Sequence, residues 1–118
     1  MNDRLRTVLI VEDEPIIAMD MADALNRAGW TVIGPAGTIK QAEAAIAKEY
    51  PTVAVLDINL GSVSTFPIAE RLHASDVPVA FLTGQANMDL PPVLNGAKVF
   101  SKPAAMDDLV AHLEVLAG

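Results

Sequence analysis

Four short apolar runs in this chain each end in residues that carry or bind charge. Glu12 and Asp13 follow the run at 7–11, Asp57 follows 53–56, Thr83 follows 79–82, and Ser101 and Lys102 follow 97–100. Three carboxylates brought together repel and raise one another's pKa unless a cation offsets them. Mg2+ suits such a set, because it binds through a few carboxylates together with water and phosphate oxygens. Lys102 adds a point charge and Thr83 a hydrogen-bond donor, and both suit phosphoryl oxygens better than they suit a metal. An acid, a metal, an ammonium and a hydroxyl around one carboxylate make a phosphoryl-transfer site. Asp57, at the end of the most central run, is the natural nucleophile.

That chemistry requires the four run ends to meet, so the elements between them decide the matter. The run at 7–11 reads as a buried strand, followed by a helix over about 15–28 with Ile16, Ile17, Met21, Ala24, Leu25 and Ala28 at helical spacing. Gly29 ends it. Residues 31–33 predict a second strand, broken by Gly34-Pro35-Ala36-Gly37. Thr38 is placed to cap an alanine-rich helix to about Lys48. The wholly apolar 53–56 predicts a central strand covered on both faces. A loop over 59–65 leads to a helix near 67–74, and strands follow at 79–82 and 97–100. Between those last two, Pro91-Pro92 limits any helix to about two turns, so the fourth helix is expected to be short or irregular. A final helix over about 105–116 carries Met106, Leu109, Val110, Leu113 and Leu116 on one face.

Strands alternating with helices imply parallel units with right-handed crossovers. The expected fold is α/β, a doubly wound five-stranded parallel sheet of order 2-1-3-4-5. In such sheets ligands bind beyond the carboxyl ends of the strands, where Glu12, Asp13, Asp57, Thr83 and Lys102 all fall.

Each of these residues has an ordinary reading. Asp13 before Glu14-Pro15 makes a helix N-cap, and Asp57 before a glycine-containing loop makes a turn acid. Thr83 is a common strand residue, and a lysine beside a proline is most often a solvated one. The coincidence of four strand ends, each bearing a residue type this chemistry needs, outweighs them. His73 and His112 lie in predicted helices far from the acidic edge and read as structural, Trp30 reads as packing against the first helix or the sheet edge, and the methionines read as core filler.

The bulk properties narrow the class. A chain of 118 residues that is 52% hydrophobic is sized for a single domain, expected over 1–118 with no output domain, and argues against disorder. No cysteine is present for a disulfide framework or a zinc–thiolate site. With 8 basic and 15 acidic residues the net charge is −7, and no basic stripe for DNA is visible. No apolar run is long enough for a bilayer and residues 1–4 lack a leader pattern, so a cytoplasmic chain with no membrane partner is expected.

The motifs VLIVEDE (8–14), VLDINL (55–60), FLTG (81–84) and SKP (101–103) resemble, in order and spacing, those of the response-regulator receiver domains of two-component signalling. The resemblance spans essentially the whole chain. It implies a flavodoxin-like (βα)5 fold, with Asp57 as acceptor of the phosphoryl group of a histidine kinase's phosphohistidine. It further implies Asp13, Asp57 and the Asn59 backbone carbonyl as Mg2+ ligands, with Glu12 acting mainly through water. Thr83 and Lys102 are implied to contact phosphoryl oxygens, Gly84 to leave access to the acyl phosphate, and the Lys102-Pro103 peptide to be cis, a state accessible mainly to X-Pro bonds.

One position departs from the family pattern: Val99 stands where most members carry the aromatic that turns inward with the hydroxyl. Gln85 and Ala86 follow FLTG without the aromatic usual in receivers with an FATG-type motif. FLTG, Pro67, the poor fourth helix and the missing ring of the fifth strand are similar to a subgroup of stand-alone receivers with an FATG-type motif. The implied partners are a sensor histidine kinase and a downstream protein or second kinase, engaged through a surface near helix four, strand five and helix five. Apart from weak self-phosphorylation and autodephosphorylation, no enzyme activity is expected. The alternatives are an inactive scaffold with the receiver fold, or a small aspartyl-phosphate phosphohydrolase. The latter usually has a second acid two residues after the nucleophile, where this chain has Asn59.

Overall fold

The computed structural model describes residues 6–85 and 89–118. Its core is a five-stranded parallel sheet built from β1 (Thr7–Val11), β2 (Thr31–Ala36), β3 (Val53–Asp57), β6 (Val79–Thr83) and β7 (Val99–Ser101), in the order β2-β1-β3-β6-β7. Two short strands, β4 (Asn59–Leu60) and β5 (Val63–Ser64), form a separate antiparallel hairpin. Leaving that hairpin aside, the sheet has the expected 2-1-3-4-5 order. The stretch 59–65 is thus not the plain loop the sequence suggested, since Asn59 and Leu60 pair with Ser64 and Val63 around Gly61 at φ +61°.

β1, β3 and β6 are buried along their whole length, which is why they read as continuous apolar runs rather than alternating ones. One face is covered by α1 (Pro15–Arg27) and α4 (Met106–Ala117), which bring Met21, Leu25, Leu109 and Leu113 onto Val8, Ile10, Val55 and Leu82. The other is covered by α2 (Ile39–Lys48) and α3 (Phe66–Ala74), which bring Ala42, Ile46, Ile68 and Leu72 onto Leu9, Leu56 and Phe81. Thr38 caps α2 as expected, its hydroxyl accepting from the Gln41 N–H at 3.1 Å. Trp30 is buried beside Leu25 and Met21, with the Arg6 guanidinium 4.4 Å from its ring centroid.

The second strand does not break at Gly34-Pro35; it continues to Ala36. Gly34 takes φ +93°, and a Cβ there would lie 2.7 Å from the Ala36 nitrogen and 3.0 Å from the Ile10 carbonyl oxygen, so only glycine fits. The register between β1 and β2 shifts at this point, and the Gly34-Pro35 peptide is cis. Proline is tolerated because β2 is an edge strand. The fifth sheet strand starts at Val99 rather than Ala97, because the Ala97 N–H closes a turn onto the Leu94 carbonyl at 3.0 Å.

The connection from β6 to β7 holds a single 3-10 turn, Pro92–Leu94, among its described residues. This matches the expected weak fourth helix; residues 86–88, within that stretch, and 1–5 lie outside the described residues. No helix among the described residues is long and apolar enough to cross a membrane.

Candidate functional site

The carboxyl ends of β1, β3, β6 and β7 lie along one edge, held in place by backbone bonds just beyond the strands. The Glu12 N–H donates to the Ala36 carbonyl (2.9 Å), Ile58 to Leu82 (2.9 Å) and Lys102 to Thr83 (2.8 Å). These bonds carry the strand register into the residues that follow it, so Glu12, Asp57, Thr83 and Lys102 are placed by the sheet.

Asp57 ends the central strand and is only 6% exposed. Its Oδ2 lies 2.8 Å from Lys102 Nζ, and its Oδ1 accepts from the Asn59 N–H at 3.3 Å. Glu12, 2% exposed, has Oε1 3.0 Å and Oε2 3.3 Å from the same ammonium. Asp13 is exposed, and carboxylate oxygens of Glu12, Asp13 and Asp57 come within 4.8 Å of one another.

The electrostatics follow from this crowding. Burial pushes the Glu12 carboxyl above its ordinary range and the charge of Asp57 adds to that, while the Glu14 N–H and Lys102 hold it back. Burial works against the Lys102 charge, but hydrogen bonds to Asp57, Glu14 and Glu12 outweigh it and raise the lysine above its usual value. A hard cation fits this donor set. Three carboxylate oxygens converge, and the buried Glu12 Oε1 takes no hydrogen bond of good geometry although Lys102 is near.

Thr83, 4% exposed, follows Leu82, the residue paired with Asp57 across the sheet. Its Oγ1 accepts from the Gln85 N–H at 3.0 Å. Among the described residues, nothing beyond its chain neighbours lies within 4 Å of where a Cβ on Gly84 would sit. The Lys102-Pro103 peptide is cis. Val99 is half-buried and packs on the core of the α3 face.

The ordinary reading of Asp13 as a helix cap does not hold, since the N-cap position of α1 is Glu14 and no side chain caps the helix. His73 and His112 are not among the metal-ligand candidates of the described residues. A groove of about 480 Å3 lined by Thr38, Ile39, Leu60 and Val63 opens beside Asp13.

Two participants were missed from the sequence. Glu14 places Oε2 2.7 Å from Lys102 Nζ, the shortest of the lysine's contacts with carboxylates. Thr65, fully buried, donates its hydroxyl toward the Asp57 carbonyl (2.7 Å) and the Ile58 carbonyl (3.1 Å), fixing the backbone at Asp57. A third acid in Glu12-Asp13-Glu14 was a visible signal for the first; nothing local marked Thr65.

Comparison with known proteins identifies the family. The family model described as "Response regulator receiver domain" matches residues 8–114. The transcriptional regulatory protein TrcR of Mycobacterium tuberculosis is 38% identical over 92% of this chain and 44% of its own length. The chain spans about half the length of such curated relatives. The BeF3-activated solution structure of SdrG from Pseudomonas melonis Fr1 superposes with a TM-score of 0.77 at 35% identity, covering 99% of this chain and 100% of that one. A Burkholderia pseudomallei response regulator, solved with a phosphorylated aspartic acid, a calcium ion and citrate, has a TM-score of 0.80 at 25% identity over 95% of this chain and 68% of that one.

Proposed function

This chain belongs to the response-regulator receiver family, and on that premise we propose that Asp57 is the acceptor of a phosphoryl group passed from a phosphohistidine of a sensor histidine kinase. The observation that carries the reading is the buried Asp57 carboxylate, 2.8 Å from Lys102 and within 4.8 Å of two further acids.

Glu12, Asp13 and Asp57, with the Asn59 carbonyl, would hold Mg2+, which when bound offsets the carboxylate charge and takes phosphoryl oxygens as ligands. An Asp57 carboxylate oxygen attacks phosphorus. The P–O bond forms as the P–N bond breaks, and the imidazole leaves with the bonding pair. Lys102, held 2.8 Å from Asp57, directs an N–H to a phosphoryl oxygen of the incoming group, and the Thr83 hydroxyl, which accepts from the Gln85 amide, donates to another. Gly84 leaves the approach open. The change then alters the surface of β7, α4 and the 3-10 turn, which we assign to a downstream protein partner of a cytoplasmic signalling chain. With Val99 in place of a ring, the motion of Thr83 is read through the segment that follows it rather than through an aromatic switch.

Two solved relatives support this reading, one solved with a phosphorylated aspartic acid and a calcium ion and the other in a BeF3-activated conformation. The test is intact mass after incubation with Mg2+ and phosphoramidate or acetyl phosphate. Wild type should gain one labile phosphoryl group only when Mg2+ is present, and Asp57→Asn should gain none. Equal labelling of Asp57→Asn would sink the assignment. Lys102→Ala should weaken the switch more than it weakens Mg2+ binding by titration; lost metal affinity would count against its role.

A further inference from the structure

Lys102 is held by three carboxylates, and an ammonium has three N–H donors. Glu12, Glu14 and Asp57 therefore engage every donor the lysine has. For Lys102 to reach a phosphoryl oxygen, at least one of those contacts has to yield.

The three partners differ in what yielding costs. The Glu12 side chain is 0% exposed and that of Asp57 9%, so a lost ammonium leaves either carboxylate buried beside other acids. The Glu14 side chain is 58% exposed and turns into water at little cost. Nor does Glu14 serve its own helix. It sits at the N-cap of α1, yet its side chain caps nothing, and its backbone N–H donates instead to Glu12 Oε2 at 3.0 Å. Its carboxylate reaches across the sheet edge to a residue 88 positions away.

We propose that Glu14 is a positioning residue for phosphotransfer, a releasable counter-anion that holds the Lys102 ammonium until an incoming phosphoryl group displaces it. This rests on the reading of Asp57 as acceptor. Glu14 touches neither the phosphorus nor the acceptor and acts through Lys102 alone. Its negative charge also stands at the mouth of a site that must admit an anion. Removing it frees one donor of Lys102 and lessens the repulsion, so transfer speeds up by the amount an exposed ion pair supports, about two- to fivefold.

The experiment compares wild type, Glu14→Gln and Glu14→Ala by initial rate of phosphoramidate labelling with Mg2+, read by intact mass. Both variants should label faster by that factor, and the ratio should fall toward one in about 0.5 M salt, which screens an exposed charge. A second readout needs neither metal nor donor. In metal-free protein at fixed pH, acetylation of Lys102 by acetic anhydride, read by peptide mass, should be faster in both variants, while that of the exposed Lys40 and Lys48 stays unchanged. Labelling at the wild-type rate or slower in both variants, or unchanged Lys102 acetylation, overturns the role of Glu14. A wild type that takes no label overturns the acceptor reading and this inference with it, so the two failures are told apart by the wild-type sample alone.

Discussion

The two chain segments that leave the site are held very differently. From Asp57 the chain passes through the β4–β5 hairpin into α3, where Thr65 ties the Asp57 and Ile58 carbonyls and Ile68, Ala69 and Leu72 are buried. From Thr83 it leads through Gly84 and Gln85 toward a three-residue 3-10 turn, and among the described residues of this stretch only Leu94 is fully buried. Half-buried Leu90 and Ala97 add only partial cover there. Asp57 is thus fastened to the core, while the described residues that follow Thr83 bury few side chains. Local stability follows buried contacts, so the described residues after Thr83 are expected to open more readily than those after Asp57.

The comparison breaks if the two segments prove equally costly to perturb. Leu72→Ala should destabilise the fold by about 3–5 kcal/mol in denaturant unfolding, the range for a fully buried leucine on a rigid helix. Leu94→Ala should cost less, about 2 kcal/mol, because a short turn can settle into the space left behind. Equal losses, or a larger one at Leu94, would put the mechanical contrast aside.

Thr65→Val should cost about 1–3 kcal/mol, since the Asp57 and Ile58 carbonyls lose a buried donor, and Thr65→Ser should recover most of it. Hydrogen exchange sharpens the contrast without substitution. The amides of Leu94, Asn95 and Ala97, bonded within the short turn, should exchange at least about tenfold faster than that of Ala69, bonded to the Thr65 carbonyl.

The smallest effect concerns His112, which lines a cavity of about 380 Å3 beneath the thin segment together with Val93, Leu94, Asn95 and Lys98. Burial, and then the Lys98 charge, holds its imidazole below the usual value. A depressed histidine favours the fold while neutral. Its contribution is therefore present above the ordinary histidine pKa, near 6.5, and is lost as pH falls through the lower folded value. His112→Gln should accordingly lose less stability than wild type between about pH 7 and pH 5 in denaturant titrations. An equal loss would remove His112 as a source of acid sensitivity at this end of the molecule.

Much of the fold was legible because its signals are local. Fully apolar runs of four or five residues mark strands covered on both faces, helical spacing marks α1 and α4, and Pro91-Pro92 marks the crossover with room for a short or irregular helix only. Where local signals misled, a neighbour decided. Gly34-Pro35 reads as a break, but on an edge strand it is accommodated by a register shift against β1. The 59–65 stretch reads as a loop because two-residue strands leave too little pattern to register. Asp13 reads as a cap, yet the chain enters α1 one residue later.

The same division runs through the site. Glu12, Asp13, Asp57, Thr83 and Lys102 were readable from sequence alone, because in a parallel sheet every strand's last residue falls on one edge, and position along the run is enough to place it. Only the tertiary structure decided that Thr65 anchors the backbone at Asp57 and that Glu14 closes on Lys102. Those contacts join residues 8 and 88 positions apart. Their partners depend on which groups the sheet brings opposite an exposed helix start or a buried turn. Composition and spacing carry the position of a residue along its own element, whereas the direction of its side chain is set by what lies across the edge.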